Sequence, residues 1–157
     1  MDELILRFMD YDDAKDAAAV CRKCFGKHGA PRKNYLANIV PSWRHVYFVA
    51  ELAGKIVACT GARVAEFYEN YNEAKRDQAA IEVVAVDPDY HGQGIGTKLF
   101  AKLIGTLDDE GVKLMWLSVN PTNTPAIKFY EHFGFTYGGD IAKMNELIGE
   151  LHMFRQK

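Results

Sequence analysis

Nowhere does this chain carry an apolar run approaching the ~20 residues that cross a bilayer as a helix, and residues 1–10 lack the basic and apolar tiers of a secretion signal. Neither a membrane partner nor an export leader is expected. Cysteine is scarce as well. Cys21, Cys24 and Cys59 cannot close a disulfide set, which fits a reducing compartment and a cytoplasmic location. Cys21 and Cys24 form a C-x-x-C, yet no second pair at metal spacing follows, and the pair sits inside an Ala-rich helical stretch rather than at a helix N-terminus. Packing is its expected role, and no metal is called for. Positive charge is not in excess either: 19 Lys and Arg against 21 Asp and Glu give a formal charge of -2. Such a balance lacks the dense basic face that holds a phosphate backbone, so nucleic acid is not an expected partner.

What is present is ordinary soluble usage, 48% hydrophobic and 25% charged residues over 157 positions. A chain of that length buries roughly 70% of its unfolded surface, enough for one core. No repeat, low-complexity tract or linker divides it, so residues 1–157 read as a single domain.

Leu4 to Met9 can form a first strand, and Asp12 or Asp13 can cap a helix whose apolar positions include Ala17, Val20, Cys21 and Cys24. Gly26 to Pro31 breaks that pattern, and a short helix near Tyr35 to Val40 is ended by Pro41. Val46 to Glu51 and Lys55 to Val64 read as a hairpin turning at Ala53-Gly54. Phe67 to Gln78 interrupts as a polar, aromatic insert, either a substrate-facing loop or a solvated connection.

Ala80 to Val86 is an apolar strand stopped by Asp87-Pro88, and Gly94 to Glu110 is a helix with Ile95, Leu99, Phe100, Leu103, Ile104 and Leu107 inward. Val112 to Val119 is another strand. Thr124-Pro125 has the N-cap and first-turn chemistry of a helix through His132, Gly134 marks its end, and Phe135 to Tyr137 with Leu151 to Phe154 read as closing strands.

Between strand and helix lies His91-Gly92-Gln93-Gly94-Ile95-Gly96-Thr97, three glycines at every second position. Side chains are missing where a ligand could approach, and the first helical N–H groups with the positive end of the helix dipole favour an anion such as a pyrophosphate. An isolated glycine turn would need no ligand, its glycines serving positive φ. Two familiar nucleotide loops fail at named positions: a Walker A loop needs GxxxxGK followed by Ser or Thr, but Thr97 precedes Lys98, and Thr97 also stands where GxGxxG needs its third glycine.

The loop with its surroundings resembles the GNAT superfamily of N-acetyltransferases, whose central motif is Arg or Gln, two residues, Gly, one residue, then Gly or Ala. His91, Gly94 and Gly96 occupy that pattern, Val86-Asp87-Pro88 looks like its Val-x-Pro junction, and Asn123, Ala126, Tyr130 and Gly134-Phe135 look like the downstream motif. The likeness covers Ala80 to Tyr137 and departs at His91, which lacks the fixed charge and fork of Arg. It implies a mixed α/β (α+β) fold, a mostly antiparallel sheet with one splayed parallel strand pair and flanking helices.

The resemblance further implies acetyl-CoA as acyl donor. The pyrophosphate would meet the loop from His91 and Gly92 through Gln93, Gly94, Ile95 and Gly96 to Thr97. The pantetheine would lie between Val84, Ala85 and Val86 on one strand and Asn120 beyond the other, with Asn123 and Ala126 nearby. Affinity would rise as His91 charges with falling pH, unless His91 is only a solvated loop residue. Tyr130 matches the tyrosine placed near the CoA sulfur, where it would meet the leaving thiolate; from spacing alone, Ile127, Tyr130 and Phe133 form a core stripe. Asn123 is either a contact to the CoA chain or a turn or helix cap. Glu82 breaks an otherwise apolar strand, and alternation puts it beside Val84 and Val86, facing either the cleft as general base or solvent. His28, His45, His132 and His152 have no partner spacing that singles them out.

The leading function is direct acetyl transfer to a primary amine of a small molecule, with a protein or peptide α-amine or lysine as the alternative acceptor. From another class, a non-catalytic acyl-CoA-binding regulatory module would keep the phosphate seat without the chemistry. The oligomeric state is open, a homodimer included.

Overall fold

The computed structural model describes residues 2–70, 73–137 and 151–157. In chain order these form β1 (Leu4–Phe8), a 3-10 turn, α1 (Ala14–Gly29), α2 (Lys33–Ile39), β2 (His45–Leu52), β3 (Lys55–Asn70), β4 (Glu73–Val86) and a second 3-10 turn. After these come α3 (Ile95–Asp109), β5 (Leu114–Val119), α4 (Thr124–His132) and β6 (Leu151–Gln156). Among the described residues the strands make one six-stranded sheet in sequence order, antiparallel at every joint except β4–β5. The mixed fold expected from the sequence is therefore the one observed, and no helix among the described residues is long and apolar enough to cross a membrane.

Several local expectations change. Asp13 stands at the N-cap of α1 without capping it, because its carboxylate accepts from both Nη atoms of Arg7, at 2.7 and 2.9 Å, and from the Asp10 N–H at 2.7 Å. α1 breaks at Gly26, whose φ of 75° is a left-handed conformation open to glycine. Most of Phe67 to Gln78 is not a loop: β3 runs to Asn70 and β4 starts at Glu73, with Phe67 opposite Lys75. The N-cap of α4 is Asn123 rather than Thr124, its side chain accepting from the Ala126 N–H at 3.3 Å. Of the closing pair, β6 forms as expected, whereas Phe135 to Tyr137 contributes only an isolated bridge, Thr136 opposite Phe154.

The sheet is covered on both faces. The inward stripe of α3, from Ile95 to Leu107, packs with Phe48, Val57, Ala79, Ile81, Met115 and Leu117. On the other face, Ala14, Ala17, Cys21, Leu36 and Ile39 from α1 and α2 cover Tyr47, Val49, Cys59, Val83 and Ala85. Each set is apolar at the spacing its element demands, and the two cores share the sheet between them.

β4 changes face partway along. Ala79 and Ile81 belong to the α3 core, yet Val83 and Ala85 belong to the α1–α2 core, although strict alternation would keep all four together. The cause is a bulge: Gly61 pairs with Val83 and Ala62 with Ile81, so Glu82 has no partner on β3. The buried Thr60 hydroxyl donates to the Val83 carbonyl at 2.8 Å beside this irregularity.

Opposite the bulge, Gly61 leaves room for the Tyr47 ring to lie flat on the sheet, and a Cβ built on Gly61 would overlap that ring. Gly61→Ala is expected to cost about 1–3 kcal/mol by overpacking, a fall of roughly 2–4 °C in Tm for each kcal/mol in a domain of this size. Thermal melts check this. The penalty should largely vanish when Tyr47→Ala is already present, and an additive double mutant would contradict the contact.

Candidate active site

β4 and β5 pair over only three rungs, Gln78 with Leu114, Ala79 with Met115 and Ala80 with Trp116. Beyond Ala80 the strands part, leaving main-chain groups on facing edges that an extended amide ligand could satisfy. A cavity of ≈ 470 Å³ opens there, running from the glycine loop past Val84 and Val86 to Ala126, Phe129 and Tyr130. Its walls also include Cys24, Tyr90 and Pro125, none of which the sequence offered as a ligand-binding residue, because their approach depends on how α1, α4 and the turn after β4 dock.

The loop owes its shape to its glycines for two separate reasons. Gly92 and Gly94 take φ of 79° and 77°, and nothing lies within 4 Å of a Cβ built on either. Gly96 is helical, and there a Cβ would come within 3.1 Å of Val86 Cγ2, so glycine lets α3 sit close on β4. Gly94 is the N-cap of α3 and offers no side-chain acceptor, and no acidic residue stands in the first turn. No carboxylate of the first turn competes for the leading amides of α3, which fits an external anion.

The strand end is held from several sides. The Val86 carbonyl accepts from Cys24 Sγ at 3.1 Å and from His91 Nε2 at 2.8 Å. Since a carbonyl can only accept, Nε2 carries the hydrogen, and a neutral His91 keeps only Nδ1, an acceptor, for anything else. Asp87, almost fully buried, caps the following turn by accepting the Asp89 N–H at 3.0 Å and meets Lys23 Nζ at 2.8 Å. The Lys23 ammonium, with the Asp89 N–H, holds the Asp87 carboxyl below the usual carboxylate range.

Tyr130 serves two purposes at once. Its ring packs edge-on against Phe100 and Phe135 at 5.8 and 6.0 Å, as a core stripe would, while the residue also lines the cavity. Burial alone pushes its phenol up to about 12. Asn120 is occupied locally, accepting from the Thr122 N–H at 2.9 Å and hydroxyl at 2.7 Å, and Asn123 caps α4 as described above. Gln93, Asn120 and Asn123 are not among the residues lining the cavity, and the Ala85 side chain is buried on the opposite face, leaving only its main chain toward the gap.

Glu82 also lies outside the cavity, for the reason the bulge supplies: alternation fails at this position, and its side chain joins the α1–α2 face instead of Val84 and Val86. There it accepts from the Tyr47 hydroxyl at 3.0 Å and from the Tyr35 hydroxyl at 3.0 Å to each oxygen. His45 Nε2 lies 3.7 Å and Arg63 Nε 3.8 Å from the carboxylate. Burial and the Glu82 charge raise both phenols, Tyr35 to about 12 and Tyr47 further, so both remain donors. No sequence spacing links residues 35, 45, 47, 63 and 82; sheet register brings them together.

A sheet that parts between two parallel strands, beside a helix entered through glycines and left without a side-chain cap, makes a recess whose chemistry suits a long anionic ligand. The chain belongs to the acetyltransferase (GNAT) family, whose profile matches residues 14–135. The ribosomal protein bS18-alanine N-acetyltransferase of Escherichia coli (strain K12) is 46% identical over 59 residues, 38% of this chain and 40% of the relative. The mycothiol acetyltransferase of Thermobispora bispora is 32% identical over 90 residues, 57% of this chain and 30% of that protein. Each match thus spans less than half of the relative's own length. In fold, the crystal structure of the Escherichia coli ribosomal-protein-S18-alanine N-acetyltransferase superposes with a TM-score of 0.76 at 24% identity, covering 98% of this chain and 94% of that one. The PaiA N-acetyltransferase of Thermoplasma acidophilum, solved with coenzyme A, superposes with a TM-score of 0.76 at 13% identity, covering 99% of each chain.

Because the Asp87 carboxyl is depressed in the folded state, its contribution is present above the unfolded carboxylate value near 3.9 and is lost as pH falls through the lower folded value. Asp87→Asn, which keeps an acceptor for the Asp89 N–H but loses the charge pair with Lys23, should lower Tm by roughly 2–4 °C at pH 7. Melts repeated downward from pH 4 should show the gap to the wild type closing, and a gap that widens in acid would contradict the assignment.

Proposed function

We propose that this chain is an N-acetyltransferase moving an acetyl group directly from acetyl-CoA to a primary amine, within one domain and in the cytoplasm. The observation that carries the reading is the continuous cavity joining the uncapped start of α3 to Tyr130 alongside the parted β4 edge. The pyrophosphate would rest on the N–H groups from Gln93 to Thr97, and the pantetheine amides would pair with main-chain groups of Val84 to Val86. Asn120 and Asn123 would act chiefly by shaping the turn into α4. Three free thiols, Cys21, Cys24 and Cys59, accord with a reducing location.

The donor cavity and the Glu82 carboxylate lie toward opposite faces of β4, so the two substrates would meet across the gap beside that strand. An amine arriving as an ammonium, with pKa ~10.4 for a lysine-like group, must lose a proton before attack, and Glu82 is the base for that step. Its nitrogen then bonds the thioester carbon as the carbon–sulfur bond breaks, and the second N–H proton goes to the departing thiolate, which leaves as the CoA thiol. Tyr130 meets the departing sulfur as a hydrogen-bond donor. Full proton transfer from a phenol at about 12 to the departing thiolate, whose thiol ionises at ~8.5, would be uphill by about 3.5 units, on the order of 5 kcal/mol. Positioning of the two substrates supplies the largest part of the rate.

A small-molecule amine is the leading acceptor, and the mycothiol relative supports it. A protein α-amine is the second reading, favoured by the bS18 relatives. Mass spectrometry of acetyl-CoA with a panel of amino acids, polyamines, aminoglycosides and peptides should reveal one acetylated class. Acetyl-CoA should raise Tm where ATP and NAD do not. Stabilisation without any product would instead mark a non-catalytic acyl-CoA-binding module. With the acceptor found, Tyr130→Phe should lower kcat by ~10- to 1000-fold, and unchanged turnover under chemistry-limited conditions would exclude its role at the sulfur.

With its Nε2 N–H committed to the Val86 carbonyl, a neutral His91 has no second N–H for phosphate, so the pyrophosphate would be met by the main-chain N–H groups of the loop.

A further inference from the structure

We infer that His45 is the proton outlet of the site, a positioning residue that takes the acceptor's proton from Glu82 and passes it to solvent; this rests on the reading of Glu82 as base. Among the described residues that contact the carboxylate, His45 alone can accept a proton. Tyr35 and Tyr47 are donors held protonated, and Arg63 is a permanent cation. Once Glu82 is protonated by the ammonium, it resets through a group with a free lone pair.

His45 has that geometry. It opens β2 opposite Arg63, its side chain is 14% exposed, and its Nδ1 lies 3.0 Å from Ser42 Oγ while Nε2 lies 3.7 Å from Glu82 Oε1. In the tautomer that donates Nδ1–H to Ser42, the Nε2 lone pair faces the carboxylate, an arrangement relieved when a proton sits between them. Burial, with Arg63 and Arg44 nearby, lowers the imidazole's pKa against the opposing pull of Glu82, keeping the ring neutral near pH 7. The rings of Tyr35 and Tyr47, centred 6.3 Å away on two sides, restrain it. Beyond it lies a second cavity of ≈ 190 Å³, lined by His45 and Tyr47 with Phe8, Met9, Ile39 and Val40, with room and polar partners for water.

Two protons leave the nitrogen. The ammonium N–H breaks and its proton joins a Glu82 oxygen, freeing the lone pair to attack the thioester; as the new C–N bond forms and the C–S bond breaks, the second N–H proton passes to the departing thiolate, which leaves as the CoA thiol. The proton on Glu82 moves to His45 Nε2, and the imidazolium releases its Nδ1 proton through Ser42 or water in the small cavity.

Two measurements test this on the full chain. In an NMR titration of His45, Glu82→Gln should shift the midpoint to lower pH, because it removes the anion that favours imidazolium. In steady-state assays, His45→Gln, which keeps a polar side chain beside Ser42, should lower kcat by roughly 10- to 100-fold at pH 7. The acetyl-CoA KM and Tm should stay within twofold and about 2 °C, the rate loss should shrink as pH rises, and added imidazole should restore part of the rate. A His45 midpoint indifferent to Glu82→Gln, or a His45→Gln profile with the wild-type shape, overturns the outlet. A wild-type chain inactive on every amine, yet showing the shifted midpoint, overturns the acetyl-transfer reading while upholding the coupled pair.

Discussion

The parting of β4 from β5 after Ala80 and Trp116 governs much of what else the molecule does. Parallel strands that pair for three rungs and then separate expose main-chain donors and acceptors in the middle of a sheet, where an unmet group costs on the order of 1–3 kcal/mol. Such an opening persists because the elements around it are fixed independently. β4 keeps β3 along its other edge, β5 keeps β6, and the α3 stripe from Ile95 to Leu107 is buried against the sheet. The gap is therefore a preformed recess bordered by rigid walls, suited to an extended ligand that completes what the sheet leaves undone.

The bulge at Glu82 adds the second half of the design. One unpaired residue leaves Val84 and Val86 lining the cavity and Glu82 on the opposite face, so a single strand borders two distinct environments. Gly61 makes this workable by letting the Tyr47 ring lie on the sheet with its hydroxyl on the carboxylate. A charged side chain on a mostly buried strand is thereby given hydroxyl donors and nearby cationic partners rather than left unpaired, which a sheet interior would not tolerate.

At the far end, the junction of β4 with the glycine loop is tied down by short, specific contacts: Cys24 and His91 on the Val86 carbonyl, and Lys23 on Asp87. These link α1 to the glycine loop. The C-x-x-C that reads as mere packing thus contributes one thiol, Cys21, to the core and another, Cys24, to the rim of the cavity.

The sequence alone was enough for the alternation of strands and helices, the inward face of α3 and the glycine loop, because periodicity and turn chemistry are local properties, whereas the motif from Val86 to Phe135 was legible through its resemblance to the GNAT pattern. Tyr130 was legible through its place in that motif, although spacing could not tell its core role from its cavity role, and the structure gives it both. Tertiary structure alone decided the face of Glu82, since a bulge depends on a partner strand and shifts every later side chain without leaving a mark in the residues themselves. It also decided that His45, Tyr35, Tyr47 and Arg63 share one carboxylate: they come from α2 and two different strands, and only register and helix docking bring them within reach of β4.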